Sequence, residues 1–188
     1  GGADGMLIKY SAEGEVEWAR KIGGKSYDFI VSVIETSDGG YVAGGRFESS
    51  SIDLGNGISL TNKGKYDGML IKYSSEGSVE WAQGIGETSS DTITSVAESS
   101  DGGCVVVGRF QSSSIDIGNG IILTNKSSAD IYDDGMLIKY SAEGKVEWAQ
   151  VIGGATEDYI MSVAKTSDGG YIVGGYFDSS GIDLGNGV

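Results

Sequence analysis

Asp67-Gly68-Met69-Leu70-Ile71-Lys72-Tyr73-Ser74 is one of three copies of the same octapeptide; the others start at Asp4, 63 residues earlier, and at Asp134, 67 residues later. A fixed period of this length marks a repeat architecture, in which each unit hides its apolar face against the next. The rest of the unit keeps phase. Trp18, Trp81 and Trp148 each follow Val-Glu, and Asp38-Gly39-Gly40 recurs at Asp101 and Asp168. Ile52-Asp53-Leu54-Gly55-Asn56-Gly57 recurs at Ile115, with one Leu-to-Ile change, and at Ile182. The extra length of the second spacing falls where Gly64-Lys65-Tyr66 becomes Ser127 to Asp133, which identifies a surface loop.

Outward from the octapeptide, every unit reads as short strands joined by turns. Gly5 to Tyr10 is a strand closed by Ser11-Ala12-Glu13-Gly14, and Val16-Glu17-Trp18-Ala19 alternates as a half-buried strand does. Asp28 to Thr36 runs into the hairpin signal Ser37-Asp38-Gly39-Gly40, and Tyr41 to Phe47 returns as its partner. Asn56-Gly57, between Ile52/Leu54 and Ile58/Leu60, predicts a further small hairpin, because both turn residues accept positive φ. No stretch sustains a helical period.

The fold class expected is therefore all-β: a β-propeller of ~63-residue, four-stranded antiparallel blades, each with an extra hairpin excursion. A β-solenoid is the alternative. The repeated Trp is expected to pack blade against blade, with Trp81 largely buried between neighbouring blades. Residues 28–85 and 91–152 make whole blades; residues 4–22 and 158–177 are complementary half-blades. Three blades are too few for a propeller, whose range is about four to eight. The chain is thus expected to be part of a larger propeller, or to close by exchanging half-blades with another copy, two chains giving six blades. The abrupt start at Gly1-Gly2-Ala3-Asp4 also suggests a piece of something longer.

Composition narrows the function. Of 188 residues 33 are Gly and none is Pro, which suits many tight turns. The net charge of −14 argues against nucleic acid and anionic membrane surfaces, leaving basic partners, cations and neutral sugars. No apolar run has the length of a membrane span. There is no His, which removes the usual general base and the commonest zinc ligand, so no enzyme is expected.

The joined pattern of Asp-Gly-Gly-Tyr-Val-Ala-Gly-Gly-Arg-Phe at 38–47, Ile-Asp-Leu-Gly-Asn-Gly at 52–57, Asp-Gly-Met-Leu-Ile-Lys-Tyr at 67–73, Gly77 and Val79-Glu80-Trp81-Ala82 resembles the bacterial β-propeller repeats called SBBP repeats. The resemblance covers nearly the whole chain. It implies a propeller fold in a secreted or cell-surface bacterial protein, and it brings no catalytic residues. The function expected is a non-catalytic binding, adhesion or interaction scaffold, with glycan or protein ligands; the alternative is a purely structural, self-assembling spacer.

Candidate sites are few. Asp53, Asp116 and Asp183 stand three residues before Asn56, Asn119 and Asn186, and oxygen ligands on a Gly-rich turn can hold calcium. Without an Asp-x-Asp-x-Asp loop or a closing Glu, the preferred reading is a turn in which Asp accepts local N–H groups, and no cofactor is expected. Cys104 takes the place of Tyr41 and Tyr171 and is expected to be a buried, inert thiol; a single Cys forms no intrachain disulfide. Asn125-Lys126-Ser127 matches a glycosylation sequon in one repeat only and is taken as coincidence. Asp4, Asp67 and Asp134, and likewise Asp28, Asp91 and Asp158, read as carboxylates that lock turns at strand entries.

Overall fold

The computed structural model describes residues 1–127, 129 and 131–185, and the chain is all-β, with antiparallel sheets and no helix among them. The first unit contributes β1 (Gly5–Tyr10) and β2 (Val16–Ile22). The second contributes β3 (Asp28–Glu35), β4 (Tyr41–Phe47), β5 (Ser51–Gly55), β6 (Ile58–Thr61), β7 (Asp67–Tyr73) and β8 (Val79–Ile85). The third repeats it as β9 (Asp91–Glu98), β10 (Cys104–Phe110), β11 (Ser114–Asp116), β12 (Ile122–Thr124), β13 (Asp134–Tyr140) and β14 (Val146–Gly154). The last holds β15 (Asp158–Lys165), β16 (Tyr171–Phe177) and β17 (Ile182–Asp183).

The strands pair as β3-β4-β7-β8 and as β17-β14-β13-β10-β9. β5-β6 and β11-β12 form separate hairpins, as Asn56-Gly57 and Asn119-Gly120 predict; Asn56 and Asn119 adopt φ of 55° and 56°. β1-β2 and β15-β16 are two-stranded sheets that do not pair with each other, so the sheets are not joined into a ring.

Each hairpin of the inner pair is closed in the same way. The Thr36 N–H donates to Gly40 O at 2.9 Å, and Asp38 Oδ1 accepts from the Gly40 N–H at 2.9 Å and the Thr36 hydroxyl at 2.6 Å. Gly39 takes φ 80°, which an L side chain rarely adopts. Farther along the pair the register slips between Ile30 and Ser32, opposite Gly44-Gly45. The slip recurs in β9 against β10 and in β15 against β16. It is a β-bulge, and it requires Gly45: a Cβ there would stand 1.9 Å from Phe29 O.

The core lies between consecutive sheets. Val42, Leu70 and Ile85 of one repeat pack with Ile93, Val96, Val106 and Phe110 of the next. Leu7 and Ile22 pack with Ala43, Phe47 and Ile71, and Val105 and Val107 with Ile160 and Val163. β7 is consequently buried on both faces along its whole length. Hydrogen bonds stitch the inner strands together: the Val96 N–H donates to Ser32 Oγ at 3.2 Å, and the Val163 N–H to Ser95 Oγ at 3.3 Å.

Trp81 is half-buried rather than largely buried. Its indole N–H donates to Ala142 O in the β13–β14 turn at 2.9 Å, as that of Trp18 does to Ser75 O at 3.0 Å. A polar N–H that must reach a turn carbonyl keeps the ring at the rim of the interface, where its partner is accessible.

Candidate ligand-binding cleft

The β-bulges place Val31, Thr94 and Met161 at the unpaired positions of β3, β9 and β15, and a bulge re-aims its side chain out of the ladder. All three line a cleft of about 610 Å³ that runs across the three strands. Phe29 and Tyr159, from the same strands, and Arg46, Arg109 and Tyr176, from β4, β10 and β16, complete its character. Two of the chain's three arginines thus stand at one cleft of a strongly acidic protein.

The two arginines are held differently. Arg109 donates to Asp133 Oδ2 at 2.6 Å and lies 4.5 Å from the centre of the Tyr159 ring. Arg46 lies 5.3 Å from the ring of Phe29 and 4.5 Å from that of Tyr66. Its nearest carboxylate, Glu48, is 4.0 Å away, and its guanidinium makes no hydrogen bond among the described residues. An arginine flanked by aromatic faces with its N–H fork unspent suits a planar carboxylate, which can accept two parallel hydrogen bonds. Thr94 Oγ1 donates to Ile160 O at 2.8 Å and ties β9 to β15 at the cleft floor. Tyr159 donates to Glu157 and packs at 4.7 Å against Tyr176; burial and that hydrogen bond raise its phenol above the ordinary value.

The residues singled out in the sequence as possible calcium ligands lie elsewhere, and apart from one another. Asp53 Oδ1 accepts from the Gly55 N–H at 2.9 Å, Asp116 Oδ1 from Gly118 at 2.9 Å, and Asp183 Oδ1 from Gly185 at 2.8 Å. The amide of Asn56 donates to Val79 O at 3.4 Å and that of Asn119 to Val146 O at 2.9 Å, so each Asn ties its hairpin to the neighbouring outer strand. Asn186 lies outside the described residues. No group of three or more His, Cys, Asp or Glu among the described residues is arranged to hold a metal.

Cys104 is buried in β10, and burial pushes its thiol up to about 12. The Asn125 amide donates to Phe110 O at 3.0 Å while its Oδ1 accepts from the Ser127 N–H at 2.8 Å, so the sequon residue closes its own loop. Asp28, Asp91 and Asp158 are fully buried clamps. Each accepts from one backbone N–H four residues back, from two more about twenty residues on, and from a serine hydroxyl; for Asp91 the donors are Glu87, Gln111, Ser112 and Ser112 Oγ.

The cleft residues were not among the sequence candidates, although the signal was present. Across near-identical repeats the equivalent positions read Phe29, Thr92 and Tyr159; Val31, Thr94 and Met161; Arg46, Arg109 and Tyr176. Divergence inside a repeat is what a specific site leaves, but only the bulges show that these positions converge.

No family model matches the chain, and no curated protein matches it. Among solved structures it is similar to a protein of unknown function from Bacteroides caccae, determined at 1.35 Å resolution, with 10% identity and a TM-score of 0.32 over 89% of this chain. The chain spans 64% of that protein's length.

Proposed function

We propose that the chain is a non-catalytic, propeller-type binding module of a secreted or surface bacterial protein, and that it holds a carboxylate-bearing saccharide in the cleft across β3, β9 and β15. The observation that carries this reading is Arg46: a guanidinium between two rings, with no hydrogen bond spent among the described residues, at the mouth of a cleft of ligand size. Aromatic faces suit the apolar side of a sugar ring, and the guanidinium suits its carboxylate. The propeller reading draws support from consecutive four-stranded units whose first strands lie side by side. The non-catalytic reading draws support from the Asp28, Asp91 and Asp158 carboxylates, which are spent on structural donors. The resemblance to SBBP repeats carries the surface setting.

Calorimetric titration with uronic-acid oligosaccharides and their neutral counterparts tests the reading. We expect binding of the acidic series only, weakened at least about tenfold by Arg46→Gln, the effect of losing one charged hydrogen bond worth about 1.5–3 kcal/mol. Equal binding of both series, or none of either, would overturn it, and absence of binding would favour the architectural alternative.

A further inference from the structure

The two complete repeats present the cleft with equivalent arginines in unlike company. Arg46 on β4 and Arg109 on β10 hold the same place, opposite Phe29 and Thr92, and their side chains are exposed alike, at 31% and 28%. The residue beside each arginine comes from the loop that leads into β7 or β13. The carbonyl of Tyr66 accepts from the Asp91 N–H at 2.8 Å, and that of Asp133 from the Asp158 N–H at 2.8 Å, so Tyr66 and Asp133 are equivalent in space as well as in sequence. Tyr66 offers Arg46 a ring face at 4.5 Å, whereas Asp133 takes a hydrogen bond from Arg109 at 2.6 Å.

Asp133 ends the lengthened loop that replaces Gly64-Lys65-Tyr66. The backbone just before it is pinned: the Asn125 amide donates to Tyr132 O at 3.1 Å, and Gln111 Nε2 donates to Ile131 O at 2.9 Å. The Asp133 side chain is 7% exposed, so its ion pair with Arg109 is less screened than a pair on the open surface.

The Arg109 end of the cleft is in consequence electronegative. Asp133 Oδ1 is buried with no hydrogen-bond donor among the described residues. Glu157 accepts from the Tyr159 hydroxyl and adds its charge to that of Asp133. One guanidinium thus faces two carboxylates. At the other end Glu48 stands 4.0 Å from Arg46 and shares no hydrogen bond with it. A ligand carboxylate at Arg46 finds the whole N–H fork. One at Arg109 finds a guanidinium already engaged and a like charge beside it, an arrangement that rejects an anion.

The geometry points to Asp133 as the residue that sets the selectivity of the cleft: it withdraws Arg109 from anion binding, so that the ligand is a saccharide with a single carboxylate, seated on Arg46, whose next ring is uncharged and lies toward Tyr159 and Tyr176. The assignment rests on the saccharide reading of the cleft. The uncharged ring finds apolar partners there, because Tyr159 and Tyr176 pack with ring centres 4.7 Å apart and Met161 is 57% exposed.

Two measurements test it. The first is labelling with phenylglyoxal, which condenses with free guanidinium groups and is read by peptide mass mapping without any saccharide. Arg46 and Arg109 are equally exposed, so the hydrogen bond to Asp133 should decide their rates. We expect Arg46 to react at least about tenfold faster in the unaltered chain, and the two rates to converge in Asp133→Ala. Asp133→Tyr, which gives Arg109 the neighbour that Arg46 has, is the second variant, and circular dichroism checks that both keep their strands. The second measurement is calorimetric titration with a disaccharide of one glucuronic acid and one xylose, and with digalacturonic acid. We expect the unaltered chain to bind the mono-acid at least about tenfold more tightly, the effect of setting a second carboxylate beside Asp133, and both variants to lose that preference. Equal labelling of the two arginines in the unaltered chain, di-acid bound as tightly as mono-acid, or variants that keep the preference would overturn this assignment and leave the saccharide reading standing. Binding of neither disaccharide by the unaltered chain would overturn the saccharide reading, and the ligand named here with it, whatever the labelling shows.

Discussion

Ser112 Oγ donates to Asp91 Oδ2 at 2.6 Å, and the same bond joins Ser49 to Asp28 at 2.6 Å and Ser179 to Asp158 at 2.8 Å. Each pair fastens the start of an inner strand to the loop that leaves the strand beside it. The carboxylate is fully buried, yet four donors compensate its lost hydration.

Asp91→Ala should therefore be among the most damaging single changes. It leaves the Glu87 and Ser112 N–H groups and the Ser112 hydroxyl without their acceptor, while the Gln111 N–H keeps Ser90 O, and we expect a loss of about 3–5 kcal/mol, as when one partner of a buried polar network is removed. Ser112→Ala removes one donor and should cost about 1–2 kcal/mol. Urea unfolding followed by circular dichroism measures both; equal, small losses would show that the clamp is incidental.

Gly45→Ala tests the bulge. The new Cβ would meet Phe29 O at 1.9 Å, and backbone on both sides leaves little room to give. We expect a loss of about 3 kcal/mol or more, in the range of forced overpacking. A thermal midpoint unchanged from the parent would mean that the bulge relaxes freely.

Stability should rise on mild acidification. Burial pushes the carboxyls of Asp67 and Asp134 up to about 6, with the charges of Asp91 and Asp158 adding to the effect. Both Oδ1 atoms are buried without a hydrogen-bond donor. A raised pKa means that the folded state holds a proton the unfolded chain has released. The stabilising contribution is complete below the ordinary carboxyl value of about 3.8 and is lost as pH rises through about 6. Asp38 opposes it at lower pH. The Thr36 hydroxyl first, then Lys72, hold it down at about 2, so its contribution disappears as pH falls from about 3.8 through 2. We expect the thermal midpoint to climb by about 2–4 °C per kcal/mol gained between pH 7 and pH 5 and then to fall. Asp67→Asn with Asp134→Asn should flatten the climb and leave the fall in place. A midpoint that drops steadily from pH 7 downward would contradict the assignment.

Calcium should leave stability unchanged. Asp53, Asp116 and Asp183 each spend an oxygen on a glycine N–H within their own turn. Only a ligand that binds the folded state raises the midpoint. Melting curves with millimolar calcium and with chelator should superimpose; a clear separation would turn these three residues into ligands.

The all-β class, the period and the strand positions were legible in the sequence because turn chemistry is local. Asp38-Gly39-Gly40 and Asn56-Gly57 need particular backbone angles and act over a few residues. The cleft was less legible because its residues are ordinary by themselves. Arg46 and Phe29 sit on different strands, and their meeting with Tyr66 depends on sheet pairing. The depth of Trp81 was not legible because apolar area suggests burial, whereas its indole N–H needs the carbonyl at Ala142.

The octapeptide marks the boundary between the two kinds of information. Asp4 to Ser11 and Asp67 to Ser74 are identical, the first difference being Ala12 against Ser75 in the turn that follows, and both form a strand that pairs with the strand after it. That much the chain determines by itself, since pleating and hairpin register depend on near neighbours. Yet β7 is buried throughout while β1 leaves Met6 and Tyr10 bare. Burial is a property of what lies across the sheet edge and above its face, and identical side chains gain it only where tertiary structure brings a neighbouring strand to cover them.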